Sequence, residues 1–205
     1  MQKQQSQMVY SVSRLNKSYP GGPVSFHGDF SEQECEKIIE IGESLKKENS
    51  GINVENKETS DKNVRDSIIS WITPTEEYIW IFEKIKQIVV TTNDQFFGFD
   101  LYGFYDSIQF TRYEAPSGKY NKHMDTSVNP NEQICRKLSI TIQLSDPNDY
   151  EGGDLLVYTS SKKTPTNKKR GIITIFPSFM LHEVTPVTKG TRYSLVTWIS
   201  GPAFR

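Results

Sequence analysis

The feature that most restricts the fold is a succession of short β-like runs filling the second half of the chain. Leu101–Glu114, Lys137–Ser145, Asp154–Tyr158, Gly171–Phe176, His182–Pro186 and Arg192–Ser200 read as strands, separated by Gly, Pro, Asn and Asp turns. The run 137–145 alternates cleanly, with Leu138, Ile140, Ile142 and Leu144 on one face and Ser139, Thr141, Gln143 and Ser145 on the other. In an open sheet that polar face meets water; in a double sheet it lines a cavity. The run 192–200 also alternates, setting Arg192, Ser194, Val196 and Trp198 against Tyr193, Leu195, Thr197 and Ile199.

Helical signals precede the strands. Ser31 and Glu34 form a capping box ahead of Cys35, Ile38, Ile39, Ile41 and Leu45, which predicts an amphipathic helix to about Lys47. Thr73 and Glu76, with Pro74 at the first helical position, predict a second helix to about Thr92 through Ile79, Phe82, Ile85, Ile88 and Val89. Helices followed by strands give an α+β class, mainly β, with helices buttressing a sheet. A short strand is expected at 9–12, a turn at 20–23 and another strand at 64–72. The polar segment 53–65 shows neither period and reads as a loop, of the length that serves as a lid. Ser160–Arg170, with five basic residues, reads as an exposed hairpin tip.

At 205 residues, one domain with one core is the natural size. The expected division is 1–95 as helical support and substrate loop, and 96–205 as the β core. The net charge of −1 gives no field that draws nucleic acid or a membrane surface. Cys35 and Cys135 lack metal or CxxC spacing and read as free thiols. The polar N-terminus is followed by no apolar signal segment, and no run is long enough to span a bilayer, so a cytoplasmic monomer is expected.

Chemistry points to His123 and Asp125. Two residues apart in a strand, they face the same way and can hold one ion together. His182 lies far downstream in another strand, and only His27 completes the chain's three histidines. Two His and one carboxylate with open positions suit non-haem Fe(II) oxygenases, although a zinc hydrolase uses similar donors. Arg192 is placed to project into the same cavity, where a carboxylate ligand would give it a bidentate partner.

These residues carry a resemblance. Arg112 and Tyr113, Gly118 and Tyr120, His123-Met124-Asp125, the run Arg136–Asp146, Glu151–Leu155, Phe176-Pro177, the segment His182–Arg192 and Trp198 resemble the Fe(II)- and 2-oxoglutarate-dependent dioxygenases. The likeness is to the prolyl 4-hydroxylase-like (PKHD-type hydroxylase) group. It covers about 110–200, and Arg65 and Ser67 resemble the Arg-x-Ser that follows the mobile substrate loop in that group.

The resemblance implies a double-stranded β-helix (a jelly roll, cupin-like) with Fe(II) held by His123, Asp125 and His182. It implies that Arg192 binds the distal carboxylate of 2-oxoglutarate, with Tyr113 hydrogen-bonded to this co-substrate and Thr141, Gln143, Val184 and Trp198 lining its pocket. O2 would be the oxidant, ascorbate would keep iron ferrous, and succinate and CO2 would be released. The expected substrate is a prolyl residue in a peptide or protein, faced by Tyr120 and Arg65. A free amino acid or other small molecule is the alternative, as is a jelly-roll metal-binding protein without activity. A nucleic-acid demethylase is disfavoured, because the second arginine typical of that group falls here at Trp198.

Overall fold

The computed structural model describes residues 22–26, 30–50, 52–54, 57–59, 61–126, 132–159 and 162–204. The strand expected at 9–12 lies outside them, as does part of the turn at 20–23. In chain order the elements are β1 (Val24–Phe26), α1 (Glu32–Ser44), β2 (Glu48–Asn49), β3 (Ile52–Val54), β4 (Lys57–Thr59), β5 (Arg65–Asp66), β6 (Ile68–Ile72) and α2 (Ile79–Thr92). After a π-helical turn at Asn93–Phe97 come β7 (Ile108–Glu114), β8 (Lys119–His123), β9 (Ile134–Gln143), β10 (Tyr150–Gly152) and β11 (Leu155–Thr159). The chain finishes with β12 (Lys162–Pro165), β13 (Ile173–Pro177), β14 (His182–Val184) and β15 (Val187–Pro202).

Two antiparallel sheets form the body. The larger runs β1-β13-β9-β15-β7-β6-β2, with β10 added on β15; the smaller runs β12-β11-β14-β8-β5. Period-2 alternation decides what each face meets. Leu138, Ile140, Ile142, Leu144, Leu195 and Ile199 point outward from the large sheet into a core shared with Ile38 and Ile41 of α1 and Phe82, Ile85 and Val89 of α2. Tyr113, Tyr150, Leu155, Val157, Phe176 and Val184 form a second cluster within the body. This is the expected mainly-β jelly roll with helices against one face.

Several details depart from the sequence expectation. The Ser31–Glu34 capping box forms, with Ser31 Oγ accepting from Glu34 N and Glu34 Oε2 accepting from Ser31 N at 2.7 Å. Its helix ends at Ser44, three residues short of Lys47. The second capping box does not form. Amides 78 and 79 both bond back to the Thr75 carbonyl in a turn, so α2 starts at Ile79 behind Tyr78, which gives no side-chain cap. The segment 53–65 is not an unstructured loop: β3 and β4 pair, with Ile52 opposite Thr59 and Val54 opposite Lys57. Backbone pairing there needs no apolar alternation. The strand expected from Leu101 starts only at Ile108, and the stretch before it touches β15 through a single bridge, Gly103 to Ser200.

The first 95 residues do more than support. β2 and β6 extend the large sheet and β5 extends the small one. The basic stretch after β12 is also tied down: Lys168 Nζ donates to the Gly152 carbonyl at 2.7 Å and Arg170 Nε to the Leu144 carbonyl at 2.9 Å. Among the described residues, no helix is long and apolar enough to cross a membrane.

Candidate metal centre and its cavity

His123 ends β8 and His182 begins β14, and the two pair directly across the small sheet. Directly opposed residues in an antiparallel pair share a face, so the imidazoles meet, with ring centroids 4.1 Å apart. Asp125 follows as β8 stops, its amide bonded to the Ser178 carbonyl at 2.9 Å. One ligand atom from each of His123, Asp125 and His182 falls within 4.8 Å of the others. Asp125 Oδ1 is 3.6 Å from His123 Nε2 and Oδ2 is 3.3 Å from His182 Nε2.

The backbone fixes the imidazole tautomers. His123 Nδ1 donates to the Asn121 carbonyl at 2.7 Å and His182 Nδ1 to the Met180 carbonyl at 2.9 Å. Each Nε2 lone pair is thereby turned inward, the arrangement a metal-binding His requires. Burial, with His182 beside it, pushes His123 down to about 4, so its ring is neutral. Burial alone would lower His182 too, but the Asp125 carboxylate beside it and their hydrogen bond raise it above its ordinary value. Asp125 is held well below the usual carboxylate range: burial opposes ionisation, but His182, His123 and the Ser139 hydroxyl outweigh it. Two imidazole nitrogens and an ionised carboxylate on one side of an open cavity fit Fe(II) in both donor type and number.

The cavity holds about 710 Å³ and takes lining from both sheets. It gathers most of the residues singled out in the sequence. His123, Asp125, His182, Tyr113, Thr141, Val184, Arg192 and Trp198 lie on its wall, as do Tyr120 and Arg65. Gln143 does not line it, and its amide instead donates to the Tyr150 hydroxyl at 2.7 Å. The cause is local, because a phenol on β10 stands within reach of this β9 side chain.

Arg192 is 2% exposed. Among the described residues its hydrogen-bonding contacts are with neutral hydroxyls, a long one of 3.4 Å to Ser194 Oγ and one with the Tyr150 phenol, and its Nε has no hydrogen-bond partner. Trp198 Nε1 on the same wall is buried without a partner as well. A buried guanidinium lacking an acid is costly, and an anion entering the cavity would relieve it. That is the fit a dicarboxylate co-substrate requires.

Other wall residues were not picked out from the sequence. Arg136 stacks its guanidinium 3.7 Å from the Trp198 ring and pairs with Asp106 at 3.0 Å. Trp71 and Gln109 reach the wall from β6 and β7. Arg65, Tyr120 and His123 form a stack, with Arg65 4.5 Å from the Tyr120 ring and Tyr120 3.5 Å from His123. Ser139 donates to Asp125 Oδ2 at 2.6 Å and lies 3.0 Å from Ser178 Oγ. Alternation along 137–145 put Ser139 on the right face, but nothing in sequence named its partner.

Residues 108–200 match the family model of the 2OG-Fe(II) oxygenase superfamily. A PKHD-type hydroxylase of Alteromonas mediterranea is 36% identical over 94 residues, 44% of this chain and 41% of that protein. One from Teredinibacter turnerae is 40% identical over 85 residues, 40% of this chain and 38% of that protein. The match thus spans about two fifths of these relatives' length. Among solved structures, a Pseudomonas putida prolyl-4-hydroxylase superposes with a TM-score of 0.64 at 20% identity, covering 88% of this chain and 92% of that one. The viral collagen prolyl hydroxylase of Paramecium Bursaria Chlorella virus-1, in its 2OG complex, gives 0.65 at 22% identity, covering 87% and 96%. These likenesses carry the double-stranded β-helix fold. The stretch 108–200, which carries the triad and Arg192, is thus similar to the 2OG-Fe(II) oxygenase superfamily and to PKHD-type hydroxylases.

Proposed function

We propose that this chain is an Fe(II)- and 2-oxoglutarate-dependent dioxygenase that hydroxylates a C–H bond, acting on a prolyl residue of a peptide or protein. The observation that carries it is that one cavity holds both the His123–Asp125–His182 triad and the buried Arg192, which has no carboxylate partner among the described residues. With Fe(II) and 2-oxoglutarate bound, such a centre couples decarboxylation of the co-substrate to succinate and CO2 with O2-dependent hydroxylation.

The chain's own residues supply position and electrostatics. His123 and His182, with their fixed Nε2 lone pairs, and Asp125, with its ionised carboxylate, would hold the metal, and the cavity beside them would admit co-substrate and O2. Arg192 holds the distal carboxylate, and Tyr113, whose ring lies 5.4 Å from the Arg192 guanidinium, borders the same space. Thr141, Val184 and Trp198 shape the pocket around it. At 710 Å³ the cavity leaves room beside a five-carbon acid for part of a second molecule. Tyr120 and Arg65 border that remaining space, and the β3–β4 hairpin precedes them in the chain as the candidate cover for an extended peptide.

The peptide reading is supported by two neighbours. One is the Pseudomonas prolyl-4-hydroxylase; the other is a Trichoplax adhaerens prolyl hydroxylase solved with a hypoxia inducible factor peptide fragment. Buried thiols at Cys35 and Cys135 suit a reducing cytoplasm, and ascorbate would serve as the reductant. The balanced charge offers no platform for nucleic acid or membrane. We take the chain to act as one catalytic unit and a monomer. The test is a panel of proline-containing peptides with Fe(II), 2-oxoglutarate and ascorbate. A gain of one oxygen on proline, matched by succinate, supports the reading. Oxygen gained only by free amino acids would replace the peptide substrate with a small one.

A further inference from the structure

The two histidines of the triad are enclosed unequally: His182 is buried, whereas His123 is only half-buried. We propose that Tyr120 is a positioning residue for the metal ligand His123: its ring face holds the imidazole and stabilises it once the imidazole is bound to a divalent cation. The inference rests on the dioxygenase reading above, which gave Tyr120 only a place beside the substrate.

A bulge in β8 builds the contact. His123 pairs with His182 and Tyr120 with Val184, so a step of three residues along β8 matches a step of two along β14. Residues i and i+3 of a regular strand point to opposite faces. The extra residue turns Tyr120 and His123 to the same one, and both line the cavity. Asn121, inside the bulge, is tied to the chain leading into β5. Its backbone amide donates to the Val64 carbonyl and its side-chain amide to the Asn63 carbonyl, each at 2.9 Å. Its own carbonyl then accepts from His123 Nδ1 at 2.7 Å. Tyr120 is fixed in turn by Arg65, its direct partner on β5, whose guanidinium lies 4.5 Å from the ring centre. The contacts to Arg65 and His123 are made by the Tyr120 ring, not by its hydroxyl.

The stacking geometry suits a metal-bound imidazole better than a free one. The two ring centroids are 3.5 Å apart and the planes 18° from parallel. Neutral aromatic pairs avoid so close a sandwich and settle offset or edge-on, about 4.5–7 Å apart. An imidazole that gives its Nε2 lone pair to a divalent cation becomes electron-poor, and the negative face of a phenol then attracts it. His182 has a different aromatic neighbour, the Phe176 ring, 4.9 Å away at 65°, an edge contact that encloses it without facing it. The Tyr120 stack is therefore stronger in the loaded protein than in the empty one, and that difference is metal affinity. An aliphatic side chain at position 120 would fill the space but present no such face.

The test is metal binding, read without turnover. The protein is titrated calorimetrically with Mn(II), and the visible absorption of Co(II) bound at the same site reports the ligand geometry. We expect Tyr120→Phe, which keeps the ring face, to match the wild type in both. Tyr120→Leu should bind Mn(II) roughly tenfold more weakly, the lower end of what residues supporting a metal ligand contribute, and should alter the Co(II) spectrum. Wild-type Mn(II) affinity in Tyr120→Leu, or equal losses in Tyr120→Phe and Tyr120→Leu, overturns the proposal while the dioxygenase reading stands. No binding of Mn(II) or Co(II) to the wild type overturns both. Should Tyr120→Leu not fold, Tyr120→Met, whose flexible chain fills the gap, is read in the same way.

Discussion

Ser139 Oγ donates a 2.6 Å hydrogen bond to Asp125 Oδ2, the oxygen that also lies 3.3 Å from His182 Nε2. Ser178, fully buried and 3.0 Å from Ser139, supports the donor from behind. The only carboxylate of the triad is thus oriented by a neighbour on β9 as well as by its own amide, which bonds to the Ser178 carbonyl. Groups of this kind fix the direction of a ligand and contribute roughly 10–100-fold to metal affinity. Ser139→Ala should weaken Mn(II) binding by about tenfold or more, and Ser139→Thr should retain it. Calorimetric titration of the metal checks both. Equal affinity in Ser139→Ala would mean that backbone geometry alone aims Asp125.

Arg192 gives a prediction of opposite signs for stability and binding. Its guanidinium is buried with no acidic partner among the described residues, so replacement by an apolar side chain of similar length removes a desolvation cost. Arg192→Met should raise the melting temperature of the co-substrate-free protein, by about 1–3 kcal/mol of stability, while abolishing stabilisation by 2-oxoglutarate. Thermal melts with and without the acid measure both. A fall in the unliganded melting temperature would mean that Arg192 is a structural anchor.

The pH dependence of metal binding follows from the two imidazoles. His123, lowered to about 4, carries no proton at neutral pH and costs the metal nothing. His182 is raised by Asp125, so the metal must displace a proton from it below that raised value. Affinity should weaken by about tenfold per pH unit on the acid side of the His182 titration and level off above it. Without metal the sign for stability reverses. The raised His182 contributes below its ordinary pKa and loses that contribution as pH rises through the folded value. Metal titrations at a series of pH values test this, and Asp125→Asn should move the break in the profile downward.

Helix α1 meets the large sheet at Gly42, where an added Cβ would fall 2.2 Å from the Phe110 ring. Gly42→Ala should therefore cost about 1–3 kcal/mol by overpacking, despite alanine's better helix propensity. Melting should show this loss with the metal dissociation constant unchanged. A stabilised Gly42→Ala would mean that the helix shifts freely on the sheet.

Much of this was legible in the sequence because period-2 alternation and short-range spacing report directly on faces. Leu138, Ile140, Ile142 and Leu144 turn to the core, and Arg192, Ser194, Val196 and Trp198 line the cavity, as their alternation predicts. His123 and Asp125 read as a pair for the same reason. What stayed hidden depends on partners distant in the chain. Gln143 alternates into place but is claimed by Tyr150, a contact between β9 and β10 that no spacing encodes. The β3–β4 hairpin is held by backbone pairing without an alternating pattern, so its polar residues looked like loop. Thr73 and Glu76 match a capping box, but a turn in which amides 78 and 79 bond to the Thr75 carbonyl delays the helix to Ile79.

The most direct measurement is made without oxygen. Fe(II) and 2-oxoglutarate are added to the wild-type protein, Arg192→Ala and His182→Ala, and the visible spectrum is followed for the weak charge-transfer band of a chelated 2-oxo acid. The account predicts a band in the wild type, no band in His182→Ala, and in Arg192→Ala a band that appears only at much higher 2-oxoglutarate. A wild-type protein that binds iron but gives no band at any concentration of the acid would contradict it.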